Sequence, residues 1–159
     1  MSRGITQLEL DSLNSLKGPY LNRGINAYEP GSVIKIPVAI MLIEMGINPS
    51  QIYNCDGAYE FKSPNQRPKK CWKEGGHGKV NLSDAITSSC NIYFYQSVID
   101  NYSSIYKKKW HFWMNKFGFG KKTGIDLFYE KNPPILSSPS MSKMLNMVIG
   151  QEMRTTPLQ

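Results

Sequence analysis

"EPGSVIKIPVAIMLIEMG" occupies residues 29–46, and its reading decides the fold. The turn residues Pro30 and Gly31 give way to an apolar run, Ile36 to Met45, long enough and free enough of glycine to be a buried helix. Pro37 is tolerable there because it falls in the first turn. The helix therefore starts near Ser32, and Ser32 and Lys35, three residues apart, lie on one face. A helix N-terminus and apolar surroundings both disfavour an ammonium ion and lower the lysine pKa. A neutral Lys35 can take the Ser32 proton and turn the hydroxyl into a nucleophile. A serine N-cap followed by a solvated lysine gives the same pattern, so the pair acquires meaning only from partners elsewhere in the chain.

The 159 residues suit one domain, and 40% apolar content is enough for a real core. Glu44 and Gly46 interrupt the most apolar stretch well short of a membrane span, and the first residues, MSRGITQLELDS, have no signal-peptide core. The expectation is a soluble, untargeted chain without a membrane segment. A net charge of +7 and a pI near 9.3 favour an acidic surface, whether anionic lipid, cell-wall polymer or nucleic acid. There is no nucleic-acid-binding motif. The lysines spread through 62–79 and 106–122 among aromatics read as a solvated face.

Outward from the central helix, Ile5, Leu8, Leu13 and Leu16 fall on roughly one side of a short helix over 5–16, and "GPYLNRGINAYEPGS" reads as an extended connection. Residues 51–79 lack a period and suggest a long loop or small hairpin. "VNLSDAITSSCNIYFYQSVIDNY" contains two helical stretches, the first capped by Ser83 and the second presenting Ile92, Tyr95, Val98 and Ile99. Between them stands Ser89-Cys90-Asn91. A further helix is expected over Ile105 to Phe117, ending at Gly118 and Gly120, and "EKNPPILSSPS" reads as a turn-rich linker.

With Ser32-x-x-Lys35 and Ser89-x-Asn91 in hand, the chain resembles a class B penicillin-binding protein of the penicillin-binding protein 2 type. The resemblance covers nearly the whole chain through "LNRGINAYEPGSVIK", "CWKEGGHGKVNLSDAITSSCNIYFYQ", "KFGFGKKTGIDL" and "IGQEMRTTPLQ". It implies an α+β, β-lactamase/transpeptidase-like fold, here mainly the helical half with the sheet incomplete, so that 1–159 would form a partial transpeptidase domain. It implies Ser32 as acyl acceptor, Lys35 as general base, Ser89 as proton relay and Asn91 as holder of the substrate amide. The implied reaction is D,D-transpeptidation of peptidoglycan stem peptides, with β-lactams as mimics of the donor. It also implies a partner glycosyltransferase of the elongation machinery and, for a full-length protein, the periplasmic face of the inner membrane.

Lys122-Thr123-Gly124 imitates the family's third motif but belongs to the separate segment "GFG..TGIDL", carried here by Phe119, Gly120 and Thr123 to Leu127. The true third motif, which supplies a substrate-carboxylate site and an oxyanion donor, is expected beyond "TPLQ". The spacer between Leu127 and Ile149 is shorter than the family's and lacks its tryptophan pattern. An inactive zinc-stabilised remnant, and behind it a β-lactamase or β-lactam sensor, are the rival expectations.

Cys55, Cys71, His77 and Cys90 follow the order Cys-x15-Cys-x5-His-x12-Cys. Three thiols and an imidazole suit tetrahedral zinc, though the spacings are wider than a zinc finger's. Some members of the resembled family hold zinc with two carboxylates, a histidine and a cysteine. His77 in "GHG" and Cys90 inside Ser-x-Asn match the last two, Cys71 the second carboxylate, and Cys55 or Asp56 the first, with Cys55 preferred. Such a zinc would be structural, tethering the 51–79 loop to the second motif. A Cys55–Cys71 disulfide and three unrelated buried thiols are the alternatives. His111 reads as a surface or packing residue.

Overall fold

The structure is a computed structural model describing residues 4–15, 22–61 and 66–159. Its elements run α1 (Gln7–Ser15), a 3-10 turn (Gly31–Ile34), α2 (Lys35–Glu44), β1 (Tyr53–Cys55), β2 (Ala58–Tyr59), β3 (Lys69–Lys70), β4 (Gly78–Val80), α3 (Leu82–Thr87), α4 (Asn91–Lys116) and α5 (Met141–Met147). Strand content is slight, as expected. β1 pairs antiparallel with β4, Cys55 opposite Gly78, and β2 pairs antiparallel with β3 inside it. The 51–79 stretch is thus a nested hairpin.

α4 is the axis of the core. Its Ile92, Tyr93, Phe94, Val98, Trp110 and Met114 are buried against α2, α5 and β1. The two helices expected over this stretch are one, with only Asn101 departing from helical geometry (φ −114°, ψ 15°). The junction carries no glycine or proline, so the helix bends rather than ends. α3 is capped by Asn81, not Ser83. The Asn81 side chain accepts from Asp84 N while Asp84 accepts from Asn81 N, a reciprocal box that satisfies two orphan donors.

α2 differs from a wholly buried helix. Lys35, Val38, Ala39, Met41 and Leu42 face the core, whereas Ile36, Ile40 and Ile43 are exposed. Pro37 sits in its first turn as the sequence requires. α1 forms from Gln7 rather than residue 5, and Leu8 within it and Ile5 just before it are exposed. Leu16, and part of the extended connection after it, lie outside the described residues.

Two distant segments are fastened to each other at the start of α2. Tyr28 and Thr155 exchange backbone bonds of 2.9 Å each, Glu29 accepts from Glu152 N at 3.0 Å, and Gly31 N donates to Gly150 O at 3.1 Å. The approach is so close that a Cβ on Gly150 would stand 2.0 Å from Gly31 O. Glycine is required there for space, and also for its φ of +79°.

Candidate active site and thiol cluster

Ser32 lies exposed in the 3-10 turn, while Lys35, one turn on, is only 2% exposed. The Lys35 ammonium donates to Ser89 O at 2.7 Å, to Ser89 Oγ at 2.9 Å and to Asn91 Oδ1 at 2.6 Å. It also stands 5.7 Å from the centroid of the Phe94 ring. Ser89 Oγ in turn donates to Ser32 Oγ at 2.9 Å. No hydrogen bond joins Lys35 directly to Ser32, so the direct approach expected from helix spacing is replaced by a path through Ser89. The four residues expected at one centre are brought together, in the order Ser32, Ser89, Lys35, Asn91.

Burial pushes the Lys35 pKa down to about 8, although the neighbouring Cys71 and Cys90 pull the other way. An amine in that range can exchange a proton with a hydroxyl near neutral pH, as a general base must. A solvated lysine behind an N-cap does not describe this geometry: the side chain is buried and the 3-10 turn has no side-chain cap.

Ser89 holds its place through an uncommon helix ending. Cys90 N donates to Ala85 O at 2.8 Å and Ser89 N to Ile86 O at 3.1 Å, with Ser89 in the left-handed region (φ +53°). This is a Schellman ending with serine at the position glycine normally fills. α4 then begins at once on Asn91, with Cys90 extended at the N-cap position and making no side-chain cap bond. The abrupt junction lets Ser89 and Asn91 both reach Lys35 while the intervening Cys90 turns into the core, fully buried.

Cys90 there meets the hairpin. The ligand atoms of Cys55, Cys71, His77 and Cys90 all lie within 4.8 Å of one another, and His77 Nδ1 is 3.6 Å from both Cys55 Sγ and Cys71 Sγ. All three thiols are free, so the Cys55–Cys71 disulfide is not formed. A Cβ on Gly76 would fall 1.8 Å from Cys55 O, which is why a glycine precedes His77. Burial pushes the Cys90 thiol up to about 12, with Cys55 and Cys71 adding to the rise. Burial also opposes ionisation of Cys71, but hydrogen bonds from the Lys73, Asn91 and Ile92 backbone and the Cys55 thiol carry its pKa below the ordinary value. Burial, then the charges of Lys73 and Lys35, lowers the His77 pKa and keeps the imidazole neutral. Three crowded thiols and an imidazole that turns Nδ1 towards two of them form a four-membered donor set that fits a tetrahedral cation such as zinc.

Lys122 and Thr123 take no part in this centre. Thr123 donates through N (2.8 Å) and Oγ1 (2.7 Å) to the Glu130 carboxylate, closing a surface turn remote from Ser32 in the bonding network. His111 is exposed on α4, as expected. Sequence reasoning overlooked Gly150, which buttresses the turn bearing Ser32, and Trp72, whose indole N–H donates to Ser88 O at 3.1 Å and Ser89 O at 3.2 Å. A tryptophan directly beside a candidate ligand cysteine was the available signal for the second.

A hydroxyl linked through a second hydroxyl to a buried amine is an arrangement in which a serine can be activated. Residues 6–159 match the family model of the penicillin binding protein transpeptidase domain, and the chain belongs to that family. It is 36% identical over 170 aligned residues to the peptidoglycan D,D-transpeptidase MrdA of Acinetobacter baumannii, covering 98% of this chain and 25% of that protein. It is 30% identical to MrdA of Escherichia coli K12 over 76% of this chain and 18% of that protein. The chain therefore spans about a quarter or less of the length of these curated relatives. Among solved structures, penicillin-binding protein 2 of Helicobacter pylori in complex with MreC superposes with a TM-score of 0.82 at 30% identity, over 98% of this chain and 31% of that one. Penicillin-binding protein 2 of Pseudomonas aeruginosa in complex with WCK 5153 gives 0.78 at 28%, over 97% and 36%. The fold is that of the β-lactamase-like transpeptidases, α+β with helices predominating among the described residues. No helix among the described residues is long and apolar enough to cross a membrane.

Proposed function

We propose that this chain carries the acylation machinery of a serine D,D-transpeptidase that cross-links peptidoglycan stem peptides and is acylated by β-lactams. The observation that supports it most directly is the hydrogen-bonded path from Ser32 through Ser89 to buried Lys35. Ser32 Oγ bonds to the carbonyl carbon of the penultimate D-Ala, and its proton passes over Ser89 Oγ to the neutral Lys35 amine. The peptide C–N bond then breaks, and the proton returns over Ser89 to the departing D-Ala amine. A stem-peptide amine from a neighbouring strand attacks the Ser32 ester, and Ser32 recovers a proton as the cross-link forms. Asn91, fixed by Lys35, presents its amide to the substrate backbone. In a β-lactam the ring amide breaks instead, and its leaving amine stays tethered in the acyl-enzyme.

Zinc at Cys55, Cys71, His77 and Cys90 would close the hairpin onto the second motif and displace the Cys90 proton that burial otherwise retains. In the cell, the reading places the parent protein at the periplasmic face of the inner membrane beside a glycosyltransferase. The Helicobacter pylori relative solved with MreC supports a place in such an assembly.

Incubation with benzylpenicillin followed by intact mass measurement under denaturing conditions tests the chemistry. An adduct of one drug mass, absent in Ser32→Ala, is expected. Folded protein that forms none would remove the acylation reading and leave the zinc-stabilised, non-catalytic one.

A further inference from the structure

We infer that Trp72 is a positioning residue for the second motif, an inference resting on the acylation reading above. Ser89 must orient its hydroxyl between Ser32 Oγ and Lys35 Nζ from a left-handed backbone that serine does not favour. The Schellman bonds of its own helix fix the Ser89 and Cys90 N–H groups, but the carbonyls of Ser88 and Ser89, at the helix C-terminus, have no intrahelical donors. Two side chains from elsewhere provide them. Lys35 Nζ donates to Ser89 O, and the Trp72 indole donates to both Ser88 O and Ser89 O. Trp72 is 64% exposed, so its ring is not placed by core packing. Its ring instead meets His77 edge to face (centroids 5.4 Å apart, planes at 63°), and the N–H is turned inward onto the two carbonyls. Cys71, the preceding residue, is anchored by its N–H to Gly57 O at 2.8 Å. The hairpin thus grips the second motif twice, through the thiol cluster at Cys90 and through the indole at Ser88 and Ser89. Lys35 loses one N–H and its charge when it becomes the base, so its bond to Ser89 O weakens in that state of the cycle. The indole N–H does not titrate, and it keeps Ser89 O in place in both states.

Trp72→Phe in the full chain removes the N–H and keeps most of the ring. The expected result is a benzylpenicillin acylation rate constant at saturation lowered by roughly tenfold, as for loss of one to two neutral hydrogen bonds, with non-covalent affinity within about twofold. Bound metal should be unchanged, and the Ser89 and Asn91 amide resonances should shift. A rate and resonances equal to those of the unsubstituted protein would overturn the inference, as would a rate that falls only in step with lost metal, since the indole would then act through the cluster. If the unsubstituted protein is not acylated, the acylation reading fails on its own. Trp72 is then judged by the amide resonances, and unmoved Ser89 and Asn91 signals refute it.

Discussion

The wall between α2 and α4 and the rim over residues 118–139 each carry a segment that resembles the family, yet they are built in opposite ways. In the wall, each Lys35 proton has an acceptor, Ser89 bridges to Ser32, and the surrounding Phe94, Cys90 and Ile34 are buried. In the rim there is no regular element from 121 to 139, and Phe128 and Tyr129 are almost fully exposed. What orders the rim is a carboxylate: Glu130 accepts twice from Thr123, first of all from its backbone N–H, and these bonds hold the Glu130 pKa below the usual range. The Lys-Thr-Gly triplet in this rim has the right letters for chemistry but no buried amine. Position in the packing, not the triplet, separates a buried, fully bonded amine from an exposed one.

Substitutions should widen that contrast. Ser32→Ala should abolish the benzylpenicillin adduct, read by intact mass, because Ser32 is the exposed hydroxyl that Ser89 bonds. Lys35→Met should slow acylation by about a thousandfold, within the range for loss of a general base. Rapid acylation of folded Lys35→Met protein would break the comparison. Cys90→Ser, or prolonged chelation, should remove bound metal and lower stability by about 3 kcal/mol, seen as a drop in Tm. An unaltered Tm and metal content would detach the cluster from the second motif.

The pH dependence sharpens the same point. With Lys35 neutralising at about 8, acylation should rise close to tenfold per pH unit below that value and level above it. Its folded pKa is depressed, so the unfolded chain binds more protons between about 8 and the ordinary lysine value of 10.5. This group therefore adds stability as pH rises through that window, and below it the full cost of burying the ammonium is felt. A rate profile flat from pH 6 to 9 would show that Lys35 is not the base. The smallest effect belongs to the rim: Thr123→Val should cost only about 1 kcal/mol in denaturant unfolding and leave acylation within twofold. A larger kinetic loss would move the rim into the centre.

Legibility followed locality. The Ser-x-x-Lys pair and the Ser-x-Asn triplet were readable because each is fixed by spacing on a single helix start, and the three cysteines with His77 because thiols and imidazole share one chemistry. Asn81 was missed as the cap because Ser83 lies two residues on and looks equally suitable; the choice depends on which residue is extended (ψ −175° at Asn81). The Schellman ending at Ser89 gave no glycine signal, since the hydroxyl occupies the position where glycine would be most comfortable. The exposed stripe on α2 was hidden as well: its residues are apolar all round, and composition does not say which side the core takes.

By itself, then, the sequence pointed to the helical start around Ser32, the scarcity of strand, Ser32 and Lys35 as near neighbours, and Cys55, Cys71, His77 and Cys90 as chemically matched side chains. These follow from short-range geometry and side-chain chemistry, which need no knowledge of neighbours. Only the tertiary structure decided that Ser89 stands between Ser32 and Lys35, that His77 Nδ1 faces two thiols, and that Gly150 and Trp72 brace the two motifs. Those contacts join residues tens of positions apart, and their geometry is set by how α4 packs against α2 and the hairpin.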